Sequence, residues 1–367
     1  MIRQTMLGVA LLAVGVGGEL VAQAGTGEFL TPDNQTAVTR VGTRGANFLE
    51  IGVGARAQAM GGAYTGMARG ATAMYWNPAF LGETEGIVAA FTHAELYDDL
   101  GISHDFAGVA LPLFGGGLGI SYVGLNSGDI PRTTEFDPAG ENNQFGEQFD
   151  FGGQAVGIHY GRRLTDRLMV GVGAQVISEG IDQATATWWG VNVGTAFNTG
   201  LYGLQIAGAV MNIGPSARMD GALIQRRIEN TQVFPVDVPI RYNTVSYQLP
   251  TMFRFAIVSN LTGSADALLS PSSQLHWRVA VDFTDAVDTD LQMAAGTEFN
   301  YRNLVFVRGG KRWVNEANAD FRSFSHGLSF GGGLALPLLG NRLFLDYAYT
   351  NMGELQNIHV FSFEFGR

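Results

Sequence analysis

The chain contains no cysteine among its 367 residues, which excludes a disulfide framework, a thiolate metal site and the lipidated cysteine of a lipoprotein. Basic residues are scarce: 22 Lys plus Arg stand against 33 Asp plus Glu, a formal charge of -11. Nucleic-acid binding demands basic patches, so nucleic acid is not expected as a partner. Long unbroken apolar runs are missing as well. Residues 106–125 come nearest, but Pro112 and Gly115, Gly116 and Gly117 interrupt them at the centre, where a helix would break and a tight turn between two strands fits. With no spanning helix left, a membrane chain must be a closed β-barrel, because only helices and closed barrels satisfy every backbone polar group in hydrocarbon. Linkers and charge runs that would divide the chain into soluble domains are absent too.

What the sequence does have in quantity is 51 Gly, 24 Phe, 11 Tyr and 5 Trp, a composition suited to turns, curved strands and interfacial aromatic girdles. At the N-terminus, Arg3 opens a short basic stretch, residues 6–18 are apolar or Gly, and Ala22-Gln23-Ala24 supplies small residues at A-x-A positions. That pattern predicts a secretory signal peptide over residues 1–24 and a mature N-terminus at Gly25. The apolar stretch ends at Glu19, well short of the roughly 20 residues a membrane-spanning helix needs.

Period-two alternation then recurs along the chain. Leu168, Val170, Val172, Ala174 and Val176 alternate with Gly171, Gly173 and Gln175; Leu275, Trp277, Val279, Val281 and Phe283 alternate with His276, Arg278, Ala280 and Asp282; Leu343, Leu345, Tyr347 and Tyr349 alternate with Phe344, Asp346 and Ala348. Apolar-out, polar-in dyads of this kind mark barrel strands. Segments between turn signals place strands near 86–94, 104–112, 117–125, 150–162, 167–179, 187–198, 202–212, 250–260, 274–284, 289–299, 303–313, 326–337, 342–350 and 357–366. The expected fold class is therefore all-β, a closed antiparallel transmembrane β-barrel of about fourteen strands over residues 82–367, with a small N-terminal hatch. The long segments 126–149 and 213–249 fall at one end and the short turns 113–116, 161–166 and 338–341 at the other, while connection 261–273 is longer than such a turn should be.

Residues 48–81 do not alternate. Asn77 suits an N-cap, Pro78 the first helical position and Gly82 the end of one short turn. Small residues at Ala57, Ala59, Gly61, Gly62 and Ala63 allow close packing against a barrel wall, which describes a hatch in the lumen. Residues 25–47 form an extension before it. The hatch segment IGVGARAQAMGGAYTGMARGATAMYWNPAFL resembles the N-terminal hatch of the PorV/PorQ family within the FadL-like superfamily of outer-membrane barrels, and the hatch motif residues are Arg56, Met60, Gly61, Trp76, Asn77 and Pro78. The stretches LPTMFRFAI, GTEFNYRNLVFVRGGKR and LDYAYTNMGELQNIHVFSFEF resemble that family's later strands, and alternating Phe361, Phe363 and Phe365 resemble a terminal barrel-assembly signal. The resemblance implies an outer-membrane protein, not an enzyme, that binds or shuttles secreted client proteins alongside other type IX secretion components. The superfamily offers an alternative, a channel for hydrophobic solutes gated by the hatch. Acidic residues expected in the secretion branch before Ala55 and after Gly61 are here Gly54 and Gly62.

Inward positions of the later strands carry Arg254, Arg278, Asp282, Glu298, Arg308, Asp346 and Glu364, which either pair with one another as structural charges or set what passes or how the hatch is held. No cofactor or metal is expected. Asp282, Asp285, Asp288 and Asp290 lack the Gly and terminal Glu of a calcium loop. The six histidines, His93, His104, His159, His276, His326 and His359, lack zinc-motif spacing. Gly52-Val-Gly54 fails dinucleotide spacing at Ala57.

Overall fold

The computed structural model describes residues 42–97, 100–133, 138, 148–229, 237–314, 326–353 and 356–366. The expected signal peptide and nearly all of the 25–47 extension lie outside the described residues. Fourteen strands form the wall: β1 (Val88–Leu96), β2 (Ile102–Leu113), β3 (Gly116–Asn126), β4 (Phe151–Arg163), β5 (Leu168–Ile181), β6 (Ala184–Asn198), β7 (Leu204–Ile213), β8 (Met252–Thr262), β9 (Leu275–Ala286), β10 (Gln292–Tyr301), β11 (Val305–Val314), β12 (Leu328–Leu338), β13 (Asn341–Asn351) and β14 (Asn357–Gly366). Each pairs antiparallel with its sequence neighbours, and β1 pairs with β14, Ala89 opposite Phe365, closing the sheet on itself. Closure leaves no unpaired strand edge in the wall.

The strand alternation sorts side chains as the sequence pattern predicts. Val172 and Val176 are exposed on the outside of β5, and Ile177 between them and the loop is fully buried. On β9, Ala280 and Asp282 are buried inside while Val279 and Val281 lie on the outer side. Outward Phe253, Phe255, Val307, Phe330, Phe361 and Phe363 continue an apolar band around the wall. Arg in place of Val279 should cost about 2–4 kcal/mol of folding stability in lipid vesicles, measured by denaturant titration; an unchanged midpoint would show that β9 faces the other way.

One end of the barrel carries short turns. Phe114-Gly115 and Leu339-Gly340 have positive φ at both central residues, the primed geometry that matches the twist of two-residue hairpins. The longer connection 263–274 is also at this end, and its length has a structural use. Leu268 N donates to Asn260 O (3.0 Å) and Leu269 N to Leu261 O (2.9 Å), so the connection folds back to satisfy the end of β8, where the register with β9 shifts between Asn260 and Thr262. The other end carries the long loops. Among their described residues, Ala217 and Tyr247 exchange backbone hydrogen bonds (3.0 and 2.9 Å), and Tyr247 O accepts from the indole of buried Trp188 (3.1 Å). The described parts of the loop around Ala217 and Tyr247 are thereby tied to the inner face of the wall.

Candidate functional site

Residues 43–83 run through the barrel interior. They enter at the loop end, where Gly45 N donates to Gln248 O (3.0 Å), and leave at the turn end, where Gly82 lies against the backbone of Arg162 and Arg163. Local structure is short: an α-helix at Ala55–Ala59, another at Ala73–Trp76, and 3-10 turns at Asn47–Glu50, Gly70–Thr72 and Pro78–Glu83. Helices this short are marginal alone, so their order derives from side-chain clamps and the wall. The Tyr75 hydroxyl, with one proton to donate, lies within hydrogen-bond reach of Leu49 O (2.8 Å) and Ile51 O (2.9 Å), and the Trp76 indole donates to Val53 O (2.8 Å). Ala55 N at the first helix start donates to Ser362 Oγ (2.7 Å) on β14.

The inward charges of the later strands converge on this segment. Glu298, fully buried, receives the Arg56 fork through Nε (2.8 Å) and Nη2 (2.9 Å), and Arg308 Nε (2.7 Å). Arg278 also pairs with Glu298, and Arg308 with Asp346. One carboxylate on β10 thus pairs with an arginine of the hatch and two of the wall. Asp282 Oδ2 accepts from Tyr64 N (3.1 Å) and Thr65 N (2.7 Å), holding the chain just after Gly61 and Gly62. Arg254 Nη1 donates to Tyr75 O (3.0 Å), and its guanidinium lies 4.7 Å from the Trp76 ring centroid and 5.0 Å from that of Tyr75. The Glu364 carboxylate fills the space that a side chain on Gly70 would take. All seven inward charges therefore face the hatch or a neighbour that holds it.

The hatch motif residues have separate tasks. Arg56 is the fork to Glu298. Met60 and Gly61 press on the wall where Gly296 and Gly310 have no side chain: a Cβ on Gly296 would lie 2.6 Å from Met60 O, and one on Gly310 would meet the Met60 backbone. Trp76 joins Tyr64 and Tyr75 in edge-on aromatic contacts. Asn77 caps the last turn, its Oδ1 accepting from Ala79 N (3.1 Å), while its Nδ2 donates to Thr195 O (3.0 Å) and Gly208 O (3.4 Å), which face each other across β6 and β7. Pro78 sits on Gly161 and Gly171. Asn77→Ala should lose roughly 0.5–2 kcal/mol of local stability, read as faster amide exchange over 79–83 with the wall unchanged; equal exchange rates would refute the cap.

Sequence reasoning did not find the glycine cradles or Ser362 as hatch contacts, nor the buried carboxylate of Glu50 within the hatch. The inward phase of Gly171 was legible, but which segment would lie on it was not. Glu50 lines an inner cavity with Gln58, Trp76, Arg254, Gln292 and Arg312; burial, and then Asp288 beside it, push its carboxyl up to about 8. The four aspartates weighed for calcium separate, with Asp282 inside and Asp285 exposed outside. His104 and His159 are buried inside, His159 Nε2 at 2.9 Å from Ser121 Oγ, whereas His93 pairs with Asp105 (2.7 Å) on the outer face. Among the described residues no three His, Asp or Glu side chains are placed to share a metal.

Across the wall from Asn77 lies a second, outward-facing hollow. Val193, Gly208, Val210, Phe253, Phe255 and Phe283 line it, and its surface is almost wholly apolar. Arg254 borders both spaces, its guanidinium on Trp76 and its carbonyl oxygen 3.6 Å from where a Gly208 Cβ would stand. Inner cavity and outer hollow are therefore separated here by one thickness of backbone.

The chain matches no protein-family model and no curated protein. Solved structures do resemble it. The toluene transporter TodX of Pseudomonas putida aligns over 86% of this chain and 96% of its own with 14% identity and a TM-score of 0.52. A Pseudomonas aeruginosa FadL homologue aligns over 85% and 97% with 11% identity and a TM-score of 0.51. The fold is thus that of the FadL-like barrels.

Proposed function

We propose that this protein is an outer-membrane channel for small hydrophobic solutes, with its interior segment as the gate. Its lipid-facing band sits in the outer membrane, with the turns on the periplasmic side and the long loops outside. The observation that carries this reading is the pairing of inner cavity and outer hollow across the Arg254–Gly208 wall, with Asn77 bonded to both strands between them. A solute too apolar to stay in water gains by moving from the lumen straight into lipid, and here the two are one backbone apart. The TodX likeness supports the reading through the shared fold. The type IX shuttle reading, which would hold clients on the outer loops, has no observation in its favour: the described part of loop 214–251 turns Tyr247 and Leu249 inward.

The test is deletion of residues 48–80. The wall hydrogen bonds do not include this segment, so the barrel should assemble and still migrate faster unheated than boiled. Conductance in planar bilayers and uptake of a neutral aromatic into vesicles should both rise. Unchanged conductance and uptake would refute the gate, and failure to assemble would make the segment a folding element.

A further inference from the structure

The connection of residues 287–291 between β9 and β10, at the loop end, turns one acidic side chain into the barrel. Thr289 N donates to Ala286 O (3.1 Å), closing a tight turn in which Asp288 is only 2% exposed, while Asp285 and Asp290 on either side of it are exposed. Asp288 lies against Glu50, the last residue of the 3-10 turn Asn47–Glu50 at the entry of the hatch. Both Asp288 carboxylate oxygens are buried without a hydrogen-bond partner, as are Glu50 Oε1 and Thr289 Oγ1. A carboxylate taken out of water with no partner is strongly disfavoured, and two side by side repel each other. The arginines of the adjoining cavity are turned to other groups: Arg254 bonds Tyr75 O and lies on the Trp76 ring, and Arg312 reaches Met352 Sδ (3.6 Å). The two carboxylates therefore call for a positive group between them, and among the described residues no side chain supplies it.

We propose that Glu50 and Asp288 hold a calcium ion, which ties the entry of the hatch to the connection between β9 and β10. The donors are all oxygen, the choice of a hard cation, with no nitrogen or sulfur for zinc. Calcium accepts roughly 6–8 oxygens in flexible geometry. The two carboxylates and the Thr289 hydroxyl provide part of that set, and the cavity that Glu50 and Gln292 border, about 40 Å³ in volume, has room for water to provide more. Magnesium demands near-octahedral geometry and sheds water reluctantly, so a site assembled from two separate segments suits it poorly. This is not a calcium loop of contiguous residues: one ligand comes from the hatch and the others from the wall, which is why the ion would act as a tie. The inference adds a ligand that the channel reading does not include, and it stands without that reading.

The experiment uses the full-length protein in phosphatidylcholine vesicles, with radioactive calcium as the probe in equilibrium dialysis at neutral pH and physiological ionic strength. Above protein-free vesicles, wild type should bind a single calcium per chain, half-saturated at about 10⁻⁴–10⁻³ M, the range of extracellular calcium modules. Glu50→Gln and Asp288→Asn should each weaken binding at least about tenfold, and Asp285→Asn, on the outer face, should change nothing. Saturating calcium should also slow amide exchange at Leu49 and Ile51, whose N–H groups close the hatch turn on Ala46 O (3.0 Å) and Phe48 O (3.3 Å), in wild type but not in Asp288→Asn. Unheated gel migration checks that each variant is folded, and if Asp288→Asn does not assemble, Glu50→Gln in the hatch carries both comparisons. No saturable calcium binding by wild type overturns the site and leaves the two carboxyls sharing a proton. Magnesium displacing calcium at equal concentration overturns the choice of ion, and an equal loss in Asp285→Asn reduces the binding to diffuse surface charge. Carboxylate-dependent binding with unchanged exchange at Leu49 and Ile51 overturns the tie. None of these readouts involves solute uptake, so failure of the channel reading and failure of this site are told apart.

Discussion

Glu298→Gln should release the hatch while leaving the barrel assembled. The substitution keeps volume and removes the one charge that Arg56, Arg278 and Arg308 share. Arg308 retains Asp346, but Arg56 and Arg278 are left facing each other as like charges in a confined space. Breaking a buried ion pair by removing one partner costs about 3–5 kcal/mol because the remaining charge is stranded. Arg56 and Arg278 keep some solvent access, 20% and 15% of their side chains, so the lower end applies. Hatch docking, not wall closure, bears this cost, since the strand ladder is untouched. The expected result is protease cleavage within residues 48–80 and conductance close to that of the deletion, with unheated migration unchanged. A hatch that stays protected in Glu298→Gln would show that the glycine contacts alone suffice to hold it. Arg56→Lys should fall between, because an ammonium cannot reproduce the two-point fork.

Gly171→Val should be as severe at the other end of the hatch, by sterics. A Cβ on Gly171 would lie only 2.2 Å from Pro78 C and 2.3 Å from Ala79 N. Neither side can yield cheaply: β5 is fixed by its ladders to β4 and β6, and Pro78 has a locked φ. The cost should exceed the roughly 1–3 kcal/mol typical of an overpacked core, because backbone meets backbone. Displacing the turn also pulls Asn77 off Thr195 and Gly208, so solute uptake into vesicles should rise with conductance. The contrast is Val172→Ala at the next position, which faces outward and should leave uptake as in wild type. Equal uptake by Gly171→Val and wild type would mean that the Pro78 turn is not part of the gate.

Much of this molecule was legible from residue order. Every strand expected from alternation is present within three residues of its bounds, the largest differences being starts at Ala184 against 187 and Gln292 against 289. The reason is that a wall with lipid on one side and a packed interior on the other imposes its period on every strand. Asn77 and Pro78 were legible as a cap and first helical residue because those preferences are local. The facing of Arg254, Glu298 and Arg308 followed from the same phase. Their partners did not, since Arg56 and Glu298 are 242 positions apart and no local rule relates them.

The sequence alone thus determined the barrel, its strand number, the inside and outside of its wall, and the presence of a non-alternating segment ahead of it. These follow from short-range periodicity and composition. Tertiary structure decided how that segment threads from the loop end to the turn end, which glycines receive it, and that one carboxylate gathers three arginines. It also decided where the wall is thin, at Gly208 with Asn77 behind it. Such features depend on closure, which brings β1 to β14 and sets distant side chains opposite one another across a lumen; pattern along the chain carries no information on that third dimension.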